Sequence, residues 1–248
     1  MKLILASPTY GPIDPSAARS LRAAVMHASK YGHTWIGDAS PDKEAFAHAR
    51  NHVVKDVLEA EDSNPEQYKD AAVMWVDSDI ILPVDAITTL AFRGYDFITG
   101  VYFQRGEHHW PLVAYFNGKS FQWIVQWTPQ TIVPADGCGF GCVLTSLKML
   151  RAMKQPAFEY VKFSEDFDFC LKAKAAGYQL YCDTSVLCGH LDNAPPVTIE
   201  DYKKAHPEFF GGQANDTVGS DNAARNVVIS EDWNKDQGGA SLLGSSAA

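Results

Sequence analysis

The stretch Ala71-Ala72-Val73-Met74-Trp75-Val76-Asp77-Ser78-Asp79 decides the fold. Six consecutive apolar residues without alternation mark a strand covered on both faces, as in a parallel sheet flanked by helices. The run stops at two carboxylates separated by a serine. In an open α/β sheet, ligands sit at the carboxyl ends of the strands. The strand therefore reads as central, and its end as a candidate site.

Strand and helix signals alternate on both sides of it. Residues 2–6 (KLILA) read as a first buried strand. Residues 15–30 read as a helix opened by Pro15 and closed before Gly32, with Ala18, Leu21, Val25 and Ala28 on one face. Residues 33–37 form a second strand. Residues 42–60 form a second helix with Phe46, Val53, Val54 and Val57 apolar, followed by a polar loop over 61–70. Pro83 opens a further helix to about Arg93, and 95–103 is the next strand. This rhythm predicts an α/β domain with a mixed, mostly parallel sheet flanked by helices.

The second half differs. Residues 112–116 and 121–127 flank Asn117-Gly118, a hairpin signal. Residues 131–144 read as a strand and a glycine-rich bend, 145–154 and 164–176 as helices, and 178–183 as a closing strand. After about residue 211 the chain turns rich in Gly, Ser, Asn and Asp, and 212–248 reads as a polar, flexible tail.

The chain has 248 residues, 46% hydrophobic and 21% charged, with a net charge of −9. That suits one soluble domain and argues against a protein that clamps nucleic-acid backbones. No apolar run is long enough to span a membrane. The five cysteines form no CxxC pair and read as free thiols of a reducing cytoplasm.

Several constellations carry chemistry. Asp77-Ser78-Asp79 is a hard-oxygen site suited to Mn²⁺ or Mg²⁺, although Asp and Ser also favour turns and helix caps. Ser164-Glu165-Asp166-Phe167-Asp168 opens a helix where acids complement the dipole. With Phe167, Cys170, Leu171 and Ala175 buried, Glu165 or Asp166 would be held as a general base. His190, just past the last strand, is either structural or a metal ligand. Arg50 falls within the apolar stripe of the second helix and needs an anion, Asp38 or a ligand phosphate, unless it snorkels to the surface. The bend from Asp136-Gly137-Cys138-Gly139 to Cys142 lacks the phosphate-loop lysine and allows either close backbone approach or a tight turn.

Taken in order, these pieces resemble a GT-A fold glycosyltransferase of the family-2-like group. Pro8-Thr9-Tyr10 resembles its opening, Gly37-Asp38-Ala39-Ser40-Pro41-Asp42 its stretch after strand two, and Ala49-Arg50-Asn51 its second helix. Trp75 to Asp79 resembles the metal motif, Gly137 to Gly141 the glycine bend, Glu165-Asp166 the acidic motif, and Gly189-His190 a late metal-binding histidine. The match covers roughly residues 1–192. The compact size resembles transferases encoded by large viruses and phages.

The resemblance implies a Rossmann-like GT-A domain over 1–211, with a nucleotide-sugar half to about 103 and an acceptor half over about 104–192. It implies that Pro8, Thr9, Tyr10 and Asp38 hold base and ribose, and that Arg50 faces the nucleotide. Asp77 and Ser78 would lie by the donor, with Asp77, Asp79 and His190 at Mn²⁺ or Mg²⁺. Asp136, Gly137 and Gly139 would touch the donor sugar. Asp166 would deprotonate the acceptor in an inverting enzyme, with Glu165 beside it; in a retaining one the same carboxylates position substrate. A nucleoside-diphosphate sugar is the implied donor, and a glycan or small molecule is favoured over nucleic acid as acceptor. A cytoplasmic location, that of the host for a viral protein, goes with this reading. The rivals are a non-catalytic nucleotide-sugar or glycan-binding module, a sugar-1-phosphate nucleotidyltransferase and a metal-dependent phosphatase. The nucleotidyltransferase would want an Arg-containing Gly-rich loop after strand one, and the phosphatase an Asp ending it.

Overall fold

The computed structural model describes residues 1–9, 11–191 and 195–210, and the backbone of 227–229. Tyr10 and most of the expected tail, 212–248, lie outside the described residues.

The first half runs β1 (Lys2–Ala6), α1 (Pro15–Lys30), β2 (Thr34–Asp38), α2 (Phe46–Ser63), α3 (Pro65–Tyr68), β3 (Ala71–Val76), β4 (Ile80–Ile81), α4 (Ala86–Arg93) and β5 (Phe97–Val101). There follow β6 (Val113–Phe116), β7 (Phe121–Trp127), β8 (Ile132–Ala135), β9 (Gly137–Cys138), β10 (Cys142–Ser146) and α5 (Leu147–Ala152). The chain continues through α6 (Glu165–Ala175), β11 (Leu180–Leu187), β12 (Gly189–His190), α7 (Ile199–Ala205), a 3-10 turn (Pro207–Phe209) and β13 (Val227–Ile229).

Seven strands form the main sheet in the order β2-β1-β3-β10-β5-β11-β8. β2, β1, β3, β5 and β11 share one direction, whereas β10 and β8 run against their neighbours. This is the mixed, mostly parallel sheet expected from the sequence. All six residues of β3 are buried, as an uninterrupted apolar run at the sheet centre requires. A four-stranded antiparallel sheet, β13-β7-β6-β9, and a β12-β4 ribbon complete the architecture. The pairing of 227–229 with β7 brings that part of the C-terminal segment into the second sheet.

Local packing differs from the sequence reading in detail. On α1 the buried face is Ala17, Ala24 and Ala28, while Ala18 is exposed. On α2, Ala49, Arg50, Val53, Val54 and Val57 are buried, but Phe46 at the first turn is 56% exposed. α2 runs to Ser63 and α3 follows, so the polar 61–70 stretch is largely helical, and α3 is capped by the Asn64 side chain. On α6, Phe169 and Ala173 take the buried places expected of Leu171 and Ala175. Phe121 and Trp123 are fully buried between β6, β7 and α6, so these aromatics build the hairpin core. All five cysteines are buried and unbridged. Among the described residues no helix is long and apolar enough to cross a membrane.

The glycine bend packs against protein. A Cβ on Gly137 would meet the rings of Phe121 and Phe167 at 2.6 Å, and one on Gly139 would lie 2.0 Å from the Tyr102 hydroxyl. Both glycines are buried. The space left by their missing side chains is filled by aromatic rings. Tyr102 in turn accepts a hydrogen bond from Gly141 N at 3.1 Å.

Gly139→Ala should lower stability by about 2 kcal/mol, a melting point lower by about 4–8 °C, because the ring cannot withdraw without disturbing the bend. Thermal unfolding with and without Tyr102→Phe checks this. An unchanged Gly139→Ala melting point would refute the packing role.

Candidate active site

The shared direction of β1, β2, β3, β5 and β11 brings their carboxyl ends to one edge. Pro8 and Thr9 follow β1 there, Asp38 ends β2, Asp77 follows β3, Tyr102 follows β5, and β11 leads into His190. Thr9 is tied to the loop after β2: its N–H donates to Pro41 O at 3.1 Å, and its carbonyl accepts from Lys43 N at 2.9 Å. Ser40 links the two strand ends further, accepting from Ser7 N at 3.0 Å and donating to Asp38 Oδ1 at 2.6 Å.

Arg50 is the organising cation. It is 3% exposed and donates from Nη1 to Glu165 Oε1 at 2.6 Å and from Nη2 to both Asp77 oxygens at 3.1 and 3.2 Å. Its guanidinium lies 5.3 Å from the centre of the Phe140 ring and 5.8 Å from those of Phe46 and Phe158. Burial alone would lower its proton affinity, but Asp77 and Glu165 more than offset that. The expected partner Asp38 is thus replaced by Asp77 and Glu165. Both terminal nitrogens of Arg50 are committed to carboxylates, one buried (Glu165) and one partly exposed (Asp77).

The two aspartates of the Asp77-Ser78-Asp79 turn point to different partners. Asp77 is held by Arg50. Asp79 Oδ2 lies 3.4 Å from His190 Nε2 and 3.3 Å from Arg105 Nη1. Burial would raise the Asp79 pKa, but the hydrogen bond from His190 and the charges of His190 and Arg105 bring it below the usual carboxylate value. The β4–β12 ribbon makes this meeting: His190 pairs with Ile80, and Leu191 N donates to Asp79 O at 2.9 Å.

His190 has a specific chemistry. Its Nδ1 lies 2.7 Å from the Phe103 carbonyl, which can only accept, so Nδ1 carries a proton. In a neutral ring Nε2 then presents a lone pair to the Asp79 carboxylate, which is unfavourable unless a cation or proton stands between them. A histidine that donates its second N–H to a backbone carbonyl is the usual support for a metal-binding imidazole. The donor set, one imidazole and one carboxylate, fits Mn²⁺ completed by ligand oxygens better than Mg²⁺, which prefers oxygen ligands throughout. Among the described residues no group of three or more His, Cys, Asp or Glu is placed to hold a metal alone.

α6 presents the acids. Asp166 Oδ1 accepts from Phe167 N at 2.9 Å and from the Ser164 hydroxyl, which therefore does not cap the helix. Burial, and then the charge of Glu165, push the Asp166 pKa up to about 6 against the opposing pull of Arg50. Tyr160, exposed overall but with its hydroxyl end partly desolvated next to Glu165, is pushed up to about 12 by that desolvation and that carboxylate. Asp168 Oδ2 accepts from the backbone N–H of Val161, Lys162 and Phe163 at 2.7–3.0 Å and so fixes the loop that delivers the helix.

Asp136 is not brought to this edge. β8 runs antiparallel to β11, and Ala135 pairs with Leu180 at the amino end of β11. Asp136 there binds Lys174 at 2.6 Å and Phe116 N at 3.0 Å. Its expected donor-sugar contact is corrected accordingly. Ser78 lies half-buried between the two aspartates. The sequence reading overlooked Tyr102, Arg105 and Tyr160, and took Asp168 only as an acid that favours the helix dipole. Arg105 had a usable signal, since Gln104-Arg105-Gly106 follows a strand that ends at the ligand edge.

No protein-family model matches the chain, and no curated protein matches it. Among solved structures it is similar to A197 from STIV, with a TM-score of 0.54 and 18% identity over 81% of this chain and 92% of that one. It is also similar to GalNAc-T7 solved with UDP, GalNAc and Mn²⁺, with a TM-score of 0.49 and 10% identity over 83% of this chain and 47% of that one. A third likeness is to the inositol-1-phosphate CTP transferase from T. maritima, with a TM-score of 0.45 and 10% identity over 86% and 98%. The likeness to A197 is one of fold. The chain has a GT-A-like fold: a mixed seven-stranded sheet, mostly parallel and flanked by helices.

Asp166 yields a pH prediction. Its folded pKa, about 6, lies above the ordinary 3.8. The corresponding stability is present below pH 4 and lost as pH rises through 6. Asp166→Asn should therefore stabilise the fold by about 1–2 kcal/mol at pH 7.5, the half-buried site being partly screened, with the gain vanishing near pH 4. Denaturant unfolding at both pH values measures it; a gain independent of pH would contradict the raised pKa.

Proposed function

We propose that this GT-A-fold chain is a metal-dependent glycosyltransferase. In this reading it moves a sugar from a nucleoside-diphosphate sugar to a hydroxyl of a glycan or small-molecule acceptor. The observation that carries the reading is the His190–Asp79 pair, with Nδ1 donated to a backbone carbonyl and Nε2 turned to a carboxylate. It lies at the same sheet edge as an aspartate of raised proton affinity.

Each group then has a role. Residues 1–211 form the catalytic domain, with the donor on the first half and the acceptor on residues 104–192. Pro8, Thr9 and Asp38 hold base and ribose, and Asp77 and Ser78 border the donor. Asp79 and His190 would hold Mn²⁺ or Mg²⁺, whose charge would offset that of the departing nucleoside diphosphate. Asp166 takes the proton from the acceptor hydroxyl as that oxygen bonds to the sugar carbon; a pKa near 6 leaves it ionised at neutral pH yet still basic. Glu165, paired to Arg50, keeps Asp166 in place and adds negative charge that favours proton uptake. Arg50 positions both carboxylates without touching substrate.

The two carboxylates separate in experiment. Thermal unfolding against nucleoside diphosphates, each with Mn²⁺, Mg²⁺ or EDTA, should show a metal-dependent rise in melting point for the parent, by mass action. Asp79→Ala should abolish that rise. Asp166→Asn should keep it and lose about 10²–10⁴-fold in sugar transfer. Normal transfer by Asp166→Asn would remove Asp166 from its role, and a folded parent that responds to no nucleotide would favour a non-catalytic module.

A further inference from the structure

Arg105 occupies a position that the roles above leave unused. It sits in the loop joining β5 to β6, whose neck is closed by Gln104 N donating to Trp110 O at 2.8 Å and Leu112 N to Tyr102 O at 2.9 Å. The far side is anchored too: His206 Nε2 lies 2.7 Å from the His108 carbonyl, and the His206 ring stacks on Trp110 at 4.0 Å. A loop pinned at its neck and side holds its arginine over the sheet edge.

The Arg105 side chain is 54% exposed, and among the described residues its ion pair is with Asp79. It touches the same carboxylate oxygen that faces His190. With the arginine side of the pair open to water, the pair is weak and exchanges readily. A divalent cation on Asp79 and His190 would compete with Arg105 for that oxygen and repel it. The freed guanidinium, with five N–H donors in a planar fork, would remain close to the residues that hold the cation. A diphosphate bound there offers it paired oxygens, the geometry arginine matches best. Arg50 cannot serve this purpose because it is buried and spent on Asp77 and Glu165.

We propose that Arg105 is a diphosphate-binding residue that changes partner, from Asp79 in the free protein to the donor's phosphates in the loaded one. The inference rests on the transferase reading above. It assigns Arg105 to the leaving group: as the bond between sugar carbon and phosphate oxygen breaks, the electron pair stays on the phosphate, and the guanidinium stabilises that charge without exchanging a proton.

Inorganic pyrophosphate with saturating Mn²⁺ is a probe independent of turnover. Calorimetric titration of Arg105→Ala should show pyrophosphate binding about tenfold weaker or more, with Arg105→Lys in between. Binding of Mn²⁺ alone, followed by the resonance of free Mn²⁺, should be as tight as in the parent or tighter, because a competing charge is gone. Pyrophosphate affinity within about twofold of the parent would overturn the inference and leave the transferase reading standing. Equal weakening of Mn²⁺ and pyrophosphate would also overturn it, since Arg105 would then only orient Asp79. A parent that binds no pyrophosphate with Mn²⁺ would sink both.

Discussion

A single buried guanidinium ties the end of β3 to the start of α6. Arg50 holds Asp77 and Glu165 at once, and a third carboxylate, Asp166, lies within its field. Taking these charges out of water costs several kcal/mol each, and their attraction does little more than repay it. The tie therefore contributes geometry more than stability. It fixes two carboxylates from segments far apart in sequence, and the surplus negative charge falls on Asp166. The raised proton affinity of Asp166 follows from that imbalance together with its burial.

The same tie divides the acidic turn. With Asp77 consumed by Arg50, Asp79 remains to meet His190, and the two-residue β4–β12 ribbon sets that meeting. The Phe103 carbonyl then dictates which imidazole nitrogen is protonated. Three backbone devices thus prepare the edge: a ribbon, a carbonyl, and the loop before α6 that Asp168 secures through three N–H donors. Glycines 137 and 139 contribute from beneath, where their missing side chains admit Phe121, Phe167 and Tyr102.

Much of this was legible in the sequence because it follows from local patterns. The unbroken apolar run of 71–76 announced a central strand, and the carboxylates behind it announced a site. Arg50 within an apolar stripe announced a buried cation that needs anions. What stayed hidden depended on strand direction and register. Asp136 follows a strand that runs against β11, and no local pattern reports that reversal, so it ends at the opposite edge. Nor does spacing reveal that Asp77 and Asp79 part company, or that the Ser164 hydroxyl serves Asp166 and not the helix end. Helical periodicity likewise does not show that the buried face of α2 begins only at Ala49, leaving Phe46 in the first turn exposed.

The account turns on His190 presenting Nε2 to a cation shared with Asp79 while Arg50 keeps Asp77 apart. Electron spin-echo spectroscopy of bound Mn²⁺, with and without histidine nitrogen labelling, addresses this directly. The account predicts a nitrogen coupling in the parent and in Asp77→Asn that disappears in His190→Gln. Bound Mn²⁺ with no nitrogen coupling, or one that survives His190→Gln, would contradict it.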